Sequence, residues 1–204
     1  MEIIDTKKKL SYTLTFKQAL EVGVKNVPSI MACVALFLLT CWIPYINIGV
    51  LIALTLLPVQ LAKGEIINPL SVFDSKYRKY IGEFILTYSL MLTAIMISLW
   101  FMIIPAIVVG ISWSLALYYL LDRGMNPLQA IMASNNATYG SKWTIFFVKL
   151  TMGFCFMIIN GIMGALFGGT LIGSILLLIL IVTEVSVAIS VSASIWGQLK
   201  DNVK

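Results

Sequence analysis

The chain has 204 residues, 60% of them hydrophobic and 11% charged, with a formal net charge of +5 and no histidine. Its mean hydropathy of +0.98 excludes a water-soluble domain, because that much apolar surface would aggregate in water. The absence of histidine removes the commonest general base, the usual catalytic triads and most zinc sites.

The opening stretch, MEIIDTKKKLSYTLTFKQAL, places lysines ahead of no apolar core and no small-residue cleavage site. A removable signal peptide is therefore not expected. Apolar runs follow in pairs. VPSIMACVALFLLTCW and INIGVLIALTLLPVQLA are separated at Pro44-Tyr45, and Pro58 inside the second run is expected to kink it. YIGEFILTYSLMLTAIMISLWFMI and AIVVGISWSLALYYLL are separated near Pro105. WTIFFVKLTMGFCFMIINGIMGALF and LIGSILLLILIVTEVSVAISVSASIW are separated at Gly168-Gly169-Thr170. Each run approaches the ~20 residues a bilayer crossing needs, so the fold class is all-α: a polytopic membrane bundle of six helices in three hairpins. Cys33, Cys41 and Cys155 lie in apolar runs and read as small filler.

Charge orients the hairpins. Lys7, Lys8, Lys9, Lys17 and Lys25 precede the first pair, while Lys63, Lys76, Arg78 and Lys79 stand between the first and second. Arg123 and Lys142 stand between the second and third, and Lys200 and Lys204 follow the last. The short turns carry no Lys or Arg, so the positive-inside rule puts both termini and both long connections on the cytoplasmic side. A bacterial inner-membrane location is the expectation.

Three stretches look alike ahead of the hairpins: TFKQALEVGVKN from Thr15, NPLSVFDSKYRKY from Asn68 and NPLQAIMASNNATYG from Asn126. Thr15 with Gln18, and Asn126 with Gln129, have capping-box spacing, and Pro127 suits a first helical position. The third places Leu128, Ile131, Met132 and Asn135 on one face, as in a short amphipathic helix at the interface. A threefold repeat over 15–62, 68–122 and 126–197 within a single domain, 1–204, is the implied organisation.

The segment IPAIVVGISWSLALYYLLDRGMNPLQAIMASNNATYGSKWTIF resembles a poorly characterised family of bacterial six-helix membrane proteins. That family is similar in turn to the membrane-anchor domain fused to some glycerophosphodiester phosphodiesterases. The resemblance rests on Pro105, Trp113, Asp122, Gly124, Pro127, Ala130, Ser134, Gly140 and Trp143, with a weaker likeness from Phe16 to Leu61. Ala106 stands where the family usually has glycine. The resemblance implies six helices in hairpins and no particular reaction.

Ionisable residues within spans are the candidates for function, because each is costly in hydrocarbon. Lys149 shares a helical face with Gly153, Phe156, Asn160 and Gly164, a composition suited to helix contact, although a snorkelling lysine fits equally. Glu184, in LILIVTEVSVAIS, shares its face with Gly173, Leu177, Ala188, Val191 and Ile195. Measured from the Gly168-Gly169 turn, Lys149 is the nearest cation, so a direct or water-bridged Lys149–Glu184 contact is predicted. Glu83 reads as an interfacial carboxylate, or as part of a polar strip with Thr87 and Ser98. Gly161, Gly164, Gly168, Gly169 and Gly173 are spaced for close helix packing. Lys76, Arg78 and Lys79, interleaved with Tyr77 and Tyr80, suit anionic lipid headgroups.

No metal or cofactor site and no nucleic-acid partner is expected, and no constellation suggests an enzyme. Membrane lipids are the expected partners, with a second copy or another membrane protein as further candidates. Two functions remain: a small transporter or channel using Lys149, Glu184, Asn160 and Glu83, or a scaffold in which those residues tie helices together.

Overall fold

The computed structural model describes residues 8–65 and 67–203; Lys7 and Lys204, part of the charge pattern, lie outside them. The described residues form helices joined by short connections. In chain order these are α1 (Tyr12–Lys25), α2 (Val27–Leu39), α3 (Pro44–Ala62), a single 3-10 turn (Pro69–Phe73), α4 (Ser75–Arg78) and α5 (Ile81–Phe101). They continue with α6 (Ile103–Ser112), α7 (Ala116–Arg123), α8 (Pro127–Thr138), α9 (Lys142–Phe167) and α10 (Leu171–Leu199). Five helical stretches are long and apolar enough to cross a membrane, α6 with α7 counting as one. The bent pair α1–α2, which turns by 69°, makes a sixth if counted as one span.

Local chemistry explains most boundaries. Pro44 opens α3, which then runs on through Pro58. The second pair turns at Met102, whose backbone is extended, rather than at Pro105. Pro105 sits instead in the first turn of α6, where a missing N–H deprives no carbonyl of its partner. The third pair turns at Gly168–Thr170 as its glycines predict, with Gly169 at φ +83° and the Thr170 hydroxyl accepting from the Gly173 N–H.

The segments ahead of the hairpins take three different forms. α8 has the expected capping box, Asn126 with Gln129, and Pro127 in its first turn. α1 is capped by Ser11, not Thr15, so it starts earlier; Thr15 is buried inside it and donates to the Ser11 carbonyl at 2.7 Å. The middle segment is only the 3-10 turn, capped by Asn68, followed by one turn of α4.

The core gathers where helix ends carry charge. Trp196 is fully buried between the edges of Tyr118 and Tyr119, whose ring centroids lie 5.7 and 4.8 Å away. Leu115, Leu120, Ile145 and Leu199 are buried in the same cluster. Ion pairs Lys63–Asp122 and Arg123–Asp201 join the ends of α3, α7 and α10 around it.

A break in the fourth span was not anticipated. The chain leaves helical geometry between Ser112 and Ala116. α8 repairs it: the Ser134 hydroxyl donates to the Ser112 carbonyl at 2.7 Å and accepts from the Leu115 N–H at 3.1 Å. The Thr138 hydroxyl donates to the same Ser112 carbonyl at 3.3 Å. Side chains that meet freed backbone groups are what make a broken helix tolerable away from water.

Candidate functional site

The seam between α9 and α10 carries three of the four predicted intramembrane residues and brings two of them together. Asn160 donates through Nδ2 to both carboxylate oxygens of Glu184, at 2.8 Å each, and to its own helix's Phe156 carbonyl at 3.0 Å. Both side chains are half-buried. Glu184 therefore has a partner, and it is an amide rather than an ammonium.

Lys149 and Glu184 form no direct ion pair. The ion pairs among the described residues are Lys63–Asp122, Lys76–Asp74 and Arg123–Asp201. The register explains the error. Asn160 lies eight residues before Gly168, whereas Glu184 lies fifteen after Gly169, so the two helices do not leave their turn at equal heights. Lys149 is eleven residues from Asn160 along α9, or ~16 Å at 1.5 Å per residue. Side chains leaning toward their own helix N-termini separate the pair further.

Lys149 instead lines a cleft of about 300 Å³ with Met152, Gly153, Phe156, Val191 and Ala188. Lys149 is exposed, as are Gly153 and Ala188 on the two facing helices. The seam is thus largely apolar, with an ammonium and the Ser192 hydroxyl at the cleft and an amide-bound carboxylate midway along the hairpin.

The remaining expectations separate. Glu83 is exposed in the first turn of α5, and its side chain pairs with nothing among the described residues. Thr87 and Ser98 turn their hydroxyls to the Glu83 and Ala94 carbonyls of their own helix, so the strip they suggested is not gathered around a carboxylate. Gly161 and Gly164 face open space, since a Cβ at either position would meet no atom within 4 Å. They do not mediate helix packing. Gly168 and Gly169 form the turn, and Gly173 folds back so closely on the Phe167 carbonyl that no side chain fits there.

Lys76 and Arg78 are engaged within the fold, whereas Lys79 is exposed. Arg78 lays its stem against Gly49 and its guanidinium 5.8 Å from the Tyr45 ring centre, while Gln60 donates to the Tyr77 hydroxyl at 3.2 Å. The segment therefore lies along α3. Lys76 pairs with Asp74 at 3.1 Å. Hydrogen bonds from the Lys76 backbone and side chain hold the Asp74 carboxyl below its ordinary range, and Asp74 in turn raises Lys76.

A second polar seam escaped the sequence reading. Ser186, Ser190, Ser194 and Gln198 recur every four residues on α10 and are all buried. Three of them meet α1: Ser186 donates to the Gly23 carbonyl at 2.6 Å, Ser194 to Gln18 at 2.7 Å and Gln198 to Thr15 at 2.9 Å. A cleft of about 290 Å³ adjoins this seam, lined by Lys8, Gln18, Ser190 and Ser194 and closed by Leu61 and Ala62. The signal was available as four-residue polar spacing within an apolar run, which marks a helix face seeking a helix.

Among the described residues no group of three or more His, Cys, Asp or Glu side chains is placed to hold a metal ion. No protein-family model matches the chain, and neither a curated protein nor a solved structure matches it.

Proposed function

We infer that this membrane-embedded helical bundle is a small transporter- or channel-like protein whose path follows the α9–α10 seam. One observation carries the reading: the amide-bound carboxylate of Glu184 lies midway along the apolar hairpin, on the same seam as the Lys149 cleft. A carboxylate in that setting is expensive, and packing alone does not require it. Flux in proteoliposomes tests the reading, with a panel of inorganic ions and small organic ions as solutes. Transport above lipid-only vesicles that falls in Glu184→Gln and Asn160→Leu supports it. No flux for any solute returns the protein to the second reading, a scaffold or assembly partner. That alternative is favoured by the α1–α10 seam, where buried polar groups serve helix attachment.

The orientation belongs to the same proposal. Both termini and both basic connections face the cytoplasm of a bacterial inner membrane, and α5 with α6–α7 and α9 with α10 cross as full hairpins. Six crossings require the α2–α3 turn to reach the far side. Gly49, against Arg78, is fourteen residues from Lys63, ~21 Å along α3. With both cations at one headgroup level, α3 runs obliquely and the turn stays shallow. The exposed thiol of Cys41 reports on this directly. With Cys33 and Cys155 replaced by alanine, Cys41 should react with an impermeant maleimide from the cytoplasmic side; reaction from the other side establishes six crossings. The likeness of Ile104–Phe146 to the six-helix family supports the hairpin layout and assigns no reaction.

A further inference from the structure

We propose that the Lys149 cleft is a binding site for one anionic membrane lipid, with the acidic headgroup on the ammonium and an acyl chain along the groove between α9 and α10. The cation has no counterion among the described residues. Asp74, Asp122 and Asp201 each pair with another cation, and Glu184 is held by Asn160. Glu21, Glu65 and Glu83 are exposed and form no ion pair among the described residues. A lysine seven residues into an apolar helix needs an acid from somewhere, and the surrounding bilayer supplies acids in quantity.

The groove is shaped for a chain rather than for a second helix. Its accessible floor consists of Gly153 and Ala188, and a Cβ on Gly153 would meet nothing within 4 Å. Met152, Phe156 and Val191 form apolar walls, and Ser192 adds one hydroxyl beside them. The volume of about 300 Å³ equals roughly ten water volumes. That accommodates part of one acyl chain and little more. Neighbouring positions on α9 open to the same surroundings, since Phe147, Leu150 and Phe154 are all at least half exposed, so a lipid enters sideways from the membrane. The site stands apart from the basic segment around Lys76 and Arg78, where Arg78 contacts α3 and Lys76 pairs with Asp74. It also holds whether or not the seam conducts a solute, because lipid binding and flux are measured separately.

Native mass spectrometry of the full chain in mild detergent, titrated with phosphatidylglycerol or phosphatidylcholine, tests the site. The expected result is one phosphatidylglycerol retained in preference to phosphatidylcholine. Lys149→Gln should weaken that retention about tenfold, the scale of one charge-assisted hydrogen bond. Lys149→Arg should preserve it. Gly153→Leu should weaken it with the charge still present, because the leucine fills the groove; unchanged unfolding temperatures establish that each variant is folded. Millimolar inorganic phosphate should leave the bound lipid in place. Equal retention by wild type and Lys149→Gln overturns the proposal and leaves Lys149 as a snorkelling lysine. Displacement of the lipid by inorganic phosphate overturns it in favour of a free-anion site, and a dimer that Lys149→Gln dissolves overturns it in favour of a second copy.

Discussion

Around Trp196, aromatic and aliphatic side chains of α7, α9 and α10 are enclosed; around Leu171, the same kinds of residue stand bare. Trp196, Ile145 and Leu199 are fully buried, whereas Leu171 is 80% exposed and Trp100, at the tip of the other long hairpin, 90%. Both regions contain large apolar side chains, so side-chain type alone does not separate them. Solvent does. Where chain ends and ion pairs bring water close, apolar groups must enclose one another. Within lipid there is no such drive, because hydrocarbon is as good a neighbour as leucine. Helix attachment there has to come from van der Waals fit and from hydrogen bonds.

Truncation should break the symmetry of composition first. Trp196→Ala is expected to cost ~3–5 kcal/mol, the range for removing a large buried aromatic. Leu171→Ala should stay within ~0.5 kcal/mol. Chemical denaturation in detergent micelles measures both, and similar losses would mean that the outer hairpin is covered in the native protein. Trp196→Phe is the finer probe, since the indole N–H has no hydrogen-bond partner among the described residues. Losing that orphan donor should offset part of the lost packing.

Glycine substitutions come next. A Cβ on Gly23 would lie 2.7 Å from the Val187 Cα, a backbone atom that cannot swing aside. Gly23→Ala should therefore cost ~1–3 kcal/mol. Gly161→Ala faces open space and should be neutral or stabilising by up to ~1 kcal/mol through helix propensity. A matching loss at Gly161, followed by thermal unfolding, would reveal a packing partner on that face.

Ser134→Ala tests the repair of the fourth span. It removes a donor from the Ser112 carbonyl and an acceptor from the Leu115 N–H, both buried, for an expected loss of ~1–3 kcal/mol. Ser174→Ala, on an exposed outer turn where the hydroxyl only bonds back to Thr170, should barely register. Among the changes expected to register, the smallest is the coupling across the α9–α10 seam. A double-mutant cycle on Asn160→Leu and Glu184→Gln should give a coupling of ~0.6–1.7 kcal/mol, as hydrogen bonds between membrane helices do. The same cycle on Lys149 and Glu184 should be additive.

Much of this was legible in the residues, and the failures share a cause. Apolar runs, Pro44 and the Gly168-Gly169 pair locate helices and turns because those signals are local. Glu184 and Asn160 stand out for the same reason. Their pairing did not, because a ruler laid from the turn assumes that two helices start level, and the fold of Gly173 onto Phe167 shifts them. The broken span was hidden because its cause lies elsewhere in the chain: nothing in IVVGISWSLALYY says that Ser134 and Thr138 will arrive to satisfy Ser112. Gly161 and Gly164 misled because small-residue spacing permits close approach without compelling it.

The α1–α10 seam carries a consequence for biogenesis. Its first member leaves the ribosome long before its last, since Gly23 and Val187 are 164 positions apart. At ~5–20 residues per second, the carbonyl of Gly23 and the side chains of Thr15 and Gln18 wait roughly 10–30 s for Ser186, Ser194 and Gln198 to be synthesised. Through that interval α1 can only rest at the water–lipid boundary, where its polar groups find water. The polar contacts of α1 with α10 therefore close only after α10 has been made, although α1 is synthesised well before it.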